Sequence, residues 1–213
     1  MKTKERFDKI LQYFVENKPV AETELEYASP YELIVAVILS AQCTDKRVNQ
    51  ITIDFFKRFP NVNSLAQADQ AEVFEYIKSC SYPNNKARHL VGMASMLVEK
   101  YNGILPQDVD ELQKIPGVGR KTANVLVSVL FNKPAMAVDT HVFRVSARLG
   151  LTINSKNPLD TERQLVKHIP DELIPIAHHW LILHGRYVCT ARNPKCSECG
   201  LKDCCKYFED LTR

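Results

Sequence analysis

Glycine is scarce in this chain, with seven in 213 residues, and no stretch is rich in Gly and Ser, repetitive or of low complexity. Flexible linkers and repeat architectures are therefore not expected. Long apolar runs are missing too. The longest, Leu33 to Leu39, has seven residues, whereas a membrane-spanning helix needs about 20. The N-terminus, Met1-Lys2-Thr3-Lys4-Glu5-Arg6-Phe7-Asp8, lacks the apolar core of a secretory signal. No window alternates with a period of two, so little or no sheet is expected. Neither sign of charge dominates, since the net charge is only +3. Seven cysteines, an odd number with five crowded between Cys189 and Cys205, do not form the pattern of a disulfide framework. A soluble protein of a reducing cytoplasm is expected, with no membrane partner.

What is present is helical. Ser29-Pro30-Tyr31-Glu32 places an N-cap Ser, a first-turn Pro and a third-position Glu before the apolar run, the pattern of a capping box. Asp45 and Asp69 read as caps for helices over Lys46–Arg58 and Gln70–Ser79. Lys86–Tyr101 has helical apolar spacing and ends at Gly103. Further helices are read at Val109–Lys114, Arg120–Phe131, Thr140–Leu149, Thr161–His168 and Ile176–Tyr187. The loops are short and often marked by Pro. The fold class is all-α.

Two motifs carry chemistry. In Ile115-Pro116-Gly117-Val118-Gly119-Arg120-Lys121-Thr122-Ala123, two glycines stand just before a strong helical pattern. They permit unusual backbone conformations and close ligand approach, and the helix start beyond them attracts an anion, most often a phosphate. Around this motif charge concentrates. Between Lys114 and Arg148 six basic residues face a single acid, Asp139, so that segment carries +5 and the remainder −2. Such a patch is the footprint of a phosphate-binding face, although charge alone equally allows a solvated helix face.

The second motif is Cys189-x6-Cys196-x2-Cys199-x5-Cys205. Four thiolates within so short a loop suit one metal centre. Tetrahedral zinc takes four Cys, but usually from two CxxC knuckles, and only one is present. Iron–sulfur clusters tolerate irregular spacing with one tight pair, so the spacing favours a [4Fe–4S] cluster over zinc. Cys204 is a spare that an x4 spacing would reach. Cys43 and Cys80 read as small buried hydrophobes. His178, His179, Trp180 and His184 share one helix and read as core packing rather than as metal ligands.

The hairpin Ile115–Lys121, the segment Ala137-Val138-Asp139-Thr140-His141-Val142-Phe143-Arg144, the phrase Leu39-Ser40-Ala41-Gln42-Cys43-Thr44-Asp45 and the four-Cys tail together resemble the endonuclease III family. Its members are bifunctional DNA glycosylases and abasic-site lyases of the helix-hairpin-helix superfamily. The resemblance runs from about residue 20 to 207 with the motifs in order. It implies a [4Fe–4S] cluster on Cys189, Cys196, Cys199 and Cys205, with Cys204 free. It also implies that Lys121 and Asp139 are catalytic, and that Gly117, Gly119, Arg120, His141 and Arg144 face DNA. Gln42 enters the duplex by the same resemblance, and the Cys189–Cys196 loop touches phosphates through Arg192 and Lys195. At the expected wedge loop the chain departs from its relatives. Where the family usually has a Gly, an aliphatic residue and Tyr before Asn-x-Lys-Ala, this chain reads Cys80-Ser81-Tyr82-Pro83-Asn84-Asn85-Lys86-Ala87. Tyr82 is then the stacking wedge, and Pro83 stiffens the loop.

The chemistry needs an amine. A nucleophile at the sugar C1′ displaces the base, forms a Schiff base, and the iminium acidifies the C2′ proton for β-elimination. Lys121 is the candidate, and its neutral form is favoured by the helix N-terminus and by partial burial. Asp139 reads as an N-cap at Thr140 on its own; the resemblance assigns it to assist Lys121 and to stabilise charge on the sugar.

The expected architecture is two helical domains with a DNA cleft between them. A six-helix domain with the helix-hairpin-helix spans 22–133, and residues 1–21 and 134–213 form the iron–sulfur cluster domain. The expected function is base-excision repair of oxidised pyrimidines in double-stranded DNA, with cleavage 3′ to the abasic site, by a monomer. Two alternatives stay open. A mismatch glycosylase without lyase activity lacks the hairpin Lys, and a non-catalytic DNA-binding redox module needs neither Lys121 nor Asp139.

Overall fold

The computed structural model describes residues 1–212, and among these there is no strand. The α-helices are α1 (Thr3–Asn17), α2 (Pro30–Ser40), α3 (Asp45–Arg58), α4 (Val62–Ala66), α5 (Gln70–Ile77), α6 (Pro83–Tyr101), α7 (Val109–Leu112), α8 (Arg120–Phe131), α9 (Thr140–Leu149), α10 (Pro158–Val166), α11 (Ile174–Tyr187) and α12 (Lys206–Leu211). Single 3-10 turns occupy Asp171–Leu173, Cys196–Glu198 and Lys202–Cys204. The chain divides into two compact units. One is Thr23–Phe131; the other joins Met1–Glu22 to the stretch from Asn132 onward.

In the unit Thr23–Phe131, α2 is the central element. All seven residues from Leu33 to Leu39 are buried, so the helix is apolar on every side and is wrapped by α3, α6 and α8. Each Leu, Ile and Val among these residues contributes roughly 1.5–3 kcal/mol on burial. The start of α2 differs from a reciprocal capping box. Ser29 Oγ accepts from the Glu32 N–H at 3.2 Å, but the Glu32 carboxylate reaches one residue further back and accepts from the Ala28 N–H at 2.7 Å. At α3 the cap is Thr44, whose Oγ1 accepts from Arg47 N–H; Asp45, expected to be the cap, is the first helical residue. Asp69 does cap α5. Helix α6 starts three residues before the expected Lys86, because Pro83 fits the first turn, where no N–H is needed. The short α4, capped by Asn61, was not read from the sequence.

In the other unit α9 and α11 pack together, with α10 and α12 against α9. The N-terminal helix is held by aromatic packing. Phe14 stacks on Trp180 with centroids 5.5 Å apart, and the indole N–H donates to Lys18 O at 2.7 Å. Arg6 is buried and donates to Cys204 O at 3.1 Å. The bounds of α8 and α9 are those read from the sequence, whereas α10 runs over Pro158–Val166 and α11 begins two residues early, at Ile174.

Candidate nucleic-acid interface and cysteine centre

The hairpin forms because its apolar residues anchor it and its glycines do not obstruct it. Asp108 Oδ1 accepts from Asp110 and Glu111 N–H to start α7. Ile115 and Val118 are buried, and Val118 N–H donates to Ile115 O at 3.0 Å, closing the turn. Gly117 has φ +81°, and a Cβ there would lie 2.9 Å from His89 Cβ and 3.4 Å from Ile38 Cδ1. Gly119 is different. A Cβ added to it would meet nothing within 4 Å, and its carbonyl accepts from Ala123 N–H to open α8. Behind this turn Ala123 to Ser128 are buried, while Gly119, Arg120 and Lys121 are exposed. The partial burial expected for Lys121 is therefore not found.

The hairpin borders an open groove of about 590 Å³ whose lining also includes Gln42, Tyr82, Lys86 and His89. The structure thus brings Gln42, Tyr82, Gly117 and Gly119 to one concave surface of the unit Thr23–Phe131. Gln42 (φ 54°) and Tyr82 (φ 55°) both adopt the left-handed conformation, and both are exposed, Tyr82 by 62%. Their turns are tied to one another. Ser81 Oγ donates to Gln42 O at 2.5 Å. Lys86, only 5% exposed, donates through Nζ to Leu39 O at 2.8 Å and to Ala41 O at 2.7 Å, satisfying carbonyls at the end of α2. Burial pushes the Lys86 pKa down, against the opposing pull of Cys80 and Cys43. Desolvation likewise pushes His89 down, aided by Arg88. Neither Ser81 nor Lys86 was singled out in the sequence as a bridge; the Asn-x-Lys-Ala phrase was the available signal.

In the other unit, Asp139 caps α9, its Oδ1 accepting from Val142 N–H at 2.8 Å. His141 Nδ1 lies 3.2 Å from Arg144 Nη2. Arg144 also donates to Gly185 O at 2.8 Å and to Cys189 O at 3.2 Å, so its guanidinium is committed to the chain's own backbone. Arg192 and Lys195 are exposed.

Cys189, Cys196, Cys199 and Cys205 line a single small cavity of about 20 Å³, together with His184, Pro194 and Tyr207. Cys204 is not on this lining; its S–H donates to Leu201 O at 3.3 Å. The Cys199 and Cys205 thiols are pushed up chiefly by burial and then by neighbouring cysteines. Among the described residues, no three His, Cys, Asp or Glu side chains converge closely enough to hold a single metal ion. Arg148, counted in the sequence only as part of the basic patch, holds the loop. It donates to Thr190 O at 2.7 Å and to Ala191 O at 2.9 Å, approaches Cys189 Sγ at 3.5 Å, and lies over the Tyr207 ring at 4.8 Å. His184 Nε2 is 3.7 Å from Cys199 Sγ. The His178 and His179 rings lie 3.8 Å apart, tilted by 39°, and burial pushes the His179 pKa down to about 4, in keeping with a core role.

Residues 35–171 match the model of the HhH-GPD superfamily of base excision DNA repair proteins. Endonuclease III of Bacillus subtilis is 46% identical over 188 residues, covering 88% of this chain and 86% of the relative. That of Rickettsia felis is 43% identical over 201 residues, 94% of each chain. Among solved structures, a trapped covalent intermediate between endonuclease III and DNA superposes with a TM-score of 0.93 at 44% identity, covering all of both chains.

Proposed function

Because the chain belongs to the HhH-GPD superfamily of base excision DNA repair proteins, we propose that it is a DNA glycosylase and abasic-site lyase that excises oxidised pyrimidines from duplex DNA. The observation that carries this reading is the exposed Lys121 on the first turn of α8, directly after a glycine hairpin that shares a groove with Gln42 and Tyr82.

The hairpin offers its backbone to a phosphate, where the open space at Gly119 lets the strand approach. Gln42 and Tyr82 fill the gap left by an extruded nucleotide, whose unstacking costs a few kcal/mol. Lys121 Nζ attacks C1′, the bond from C1′ to the base breaks, and the base departs with a proton. The C1′–O4′ bond then opens, O4′ taking up a proton as the alcohol while the amine lone pair forms the C1′=N iminium; this acidifies the C2′ proton, whose removal expels the 3′ phosphate and breaks the C3′–O bond. Asp139, held by its cap bond to Val142, stabilises the positive charge that develops on the sugar.

The cavity lined by four cysteines suits a [4Fe–4S] cluster held by Cys189, Cys196, Cys199 and Cys205. An all-thiol donor set of four, of which no three among the described residues converge closely enough for one ion, suits a polynuclear group better than one ion bound to sulfur at about 2.3 Å. When bound, the cluster supplies a rigid anchor for the loop carrying Arg192 and Lys195, which contact the phosphate backbone. No described helix is long and apolar enough to cross a membrane, and the protein acts on cytoplasmic DNA as a monomer.

Borohydride trapping on a duplex with one thymine glycol tests the reading. A covalent adduct is expected from the native protein and none from Lys121→Ala. Absence of an adduct from native, cluster-loaded protein, on both this duplex and an abasic one, would leave a glycosylase without lyase activity or a binding module.

A further inference from the structure

Cys43 and Cys80 are 37 positions apart in the chain, yet their sulfurs lie 4.0 Å from each other. Each sits on one of the two turns that border the groove. Cys43 follows Gln42 and Cys80 stands two residues before Tyr82, and neither thiol is used by the proposed reaction. The pairing is enforced from both sides. Lys86 clamps the end of α2 through Leu39 O and Ala41 O, and Ser81 bonds to Gln42 O. Short backbone turns fix the cysteines themselves, Cys43 N–H to Ser40 O at 3.0 Å and Cys80 N–H to Ile77 O at 2.8 Å.

We propose that Cys43 and Cys80 are a thiol modification site, closed to a reversible disulfide by hydroperoxides, and that the bond restrains the turns bearing Gln42 and Tyr82. The effect on catalysis rests on the DNA-repair reading above; the disulfide itself does not. A disulfide requires the sulfurs at about 2.05 Å, so they must close by about 2 Å. The roles of the two thiols follow from exposure. Cys43 is partly exposed and flanked by the exposed Gln42 and Thr44, whereas Cys80 is 5% exposed. Peroxide therefore reaches Cys43. Its sulfur attacks the terminal peroxide oxygen, the O–O bond breaks, and an alcohol (water from hydrogen peroxide) leaves with a sulfenic acid formed on Cys43. The Cys80 sulfur then attacks the Cys43 sulfur, the S–O bond breaks, and hydroxide leaves, taking up the Cys80 proton as water. Two thiols thus give two electrons to one peroxide, with one alcohol and one water as by-products. Burial pushes the Cys80 thiol up to about 11, while Lys86 and Arg47 pull the other way. That keeps Cys80 protonated and slow towards peroxide itself, so it acts only once the adjacent Cys43 sulfur has become an electrophile.

The groove geometry explains the consequence. Misplacing a positioning group by about 1 Å can cost on the order of 10²-fold in rate, and a closure of about 2 Å between sulfurs on the two turns pulls them towards one another and removes their independent freedom. The test uses the full, cluster-loaded chain and hydrogen peroxide at a dose that leaves its visible absorbance unchanged. Free thiols are then alkylated, peptides are mapped by mass, and incision of an abasic duplex is measured before oxidation, after it, and after dithiothreitol. The expected result is a linked Cys43–Cys80 peptide pair with incision reduced about tenfold or more, both reversed by dithiothreitol. Cys43→Ser and Cys80→Ala should each incise at the native rate and ignore peroxide. Full alkylation of both cysteines after peroxide overturns the modification site. A linked pair with unchanged incision, or equal loss in both variants, overturns its control of the groove. If the reduced native protein fails to incise at all, the DNA-repair reading falls, and the peptide map alone decides the disulfide.

Discussion

The two hairpin glycines look alike in sequence, but their alanine variants should behave in opposite ways. At Gly117 an alanine must hold φ +81°, which costs an L-residue about 1–2 kcal/mol. Its Cβ would also press on His89 Cβ at 2.9 Å, an overpacking term of about 1–3 kcal/mol. The stiffer unfolded chain returns about 0.4–1 kcal/mol, leaving Gly117→Ala less stable by about 1–5 kcal/mol. At Gly119 the backbone is not left-handed and a Cβ meets nothing within 4 Å. Only the weaker capping ability of Ala opposes the same unfolded-state gain, so Gly119→Ala should lie within about 1 kcal/mol of native. Its defect should appear on DNA, because the methyl group projects into the space assigned to the phosphate. Urea melts would measure stability, and fluorescence anisotropy with a duplex bearing a reduced abasic site would measure affinity. The expected pattern is native-like stability with affinity lowered about tenfold or more for Gly119→Ala, and a large stability loss for Gly117→Ala. Native affinity in a stable Gly119→Ala protein would refute the placement of the strand at this turn.

Asp139→Asn keeps a capping oxygen for Val142 N–H, so its melt should stay within about 0.5 kcal/mol of native while incision falls about 10²-fold or more; Asp139→Ala should additionally lose about 1 kcal/mol of stability. Equal incision by native and Asn forms would reduce Asp139 to a cap. His179 has its pKa lowered by burial from 6.5 to about 4, so the unfolded chain binds the extra proton between these values. Stability from this group is complete above about pH 6.5 and declines by about 3 kcal/mol as pH falls to about 4. Urea melts at pH 7.5 and 4.5 should show a smaller pH effect in His179→Phe than in native protein; equal effects would rule out a neutral buried imidazole. Arg148→Lys cannot reproduce the forked contacts to Thr190 and Ala191, so visible absorbance of the cluster-loaded variant should decay faster in the presence of a chelator, and an unchanged decay would remove Arg148 from the support of the loop.

The sequence was most legible where a single local signal was unambiguous. Helix α9 runs from Thr140 to Leu149 because Asp139 caps its start and Gly150 (φ +79°) ends it, both readable from residue type. Where adjacent residues competed for one role, the reading slipped by a position. Thr44 took the cap that Asp45 also fits, and Glu32 bonded to Ala28 rather than to the backbone of the cap. In both cases the alternative bond has the same chemistry and lies one residue away, so local chemistry does not separate them. The four-Cys set was legible because it is compact in sequence, and the structure puts those four on one cavity with Cys204 outside it. Cys43 and Cys80 were not legible as a pair, since only the packing of α2, α5 and α6 brings their turns together. Lys86 was missed for the same reason: its acceptors, Leu39 and Ala41, are more than 40 positions away.

Left-handed backbone outside glycine shows which residues the groove demands. Among the described residues five non-glycine positions have positive φ, and three of them are Asn102, Asn132 and Asn154. Asn tolerates this conformation, so at those three sites residue type simply serves the turn. The remaining two are Gln42 and Tyr82, for which the same conformation costs of order 1–3 kcal/mol each. Asn at either position would relieve that strain. The strain is instead held in place by Ser81 and the buried Lys86, and both side chains are exposed on the lining of one groove with Gly117. Backbone economy therefore does not account for Gln and Tyr here. On the proposed DNA-repair reading the demand comes from what enters the groove, since a long amide that hydrogen-bonds base edges and a ring that stacks on bases suit the gap left in an opened duplex.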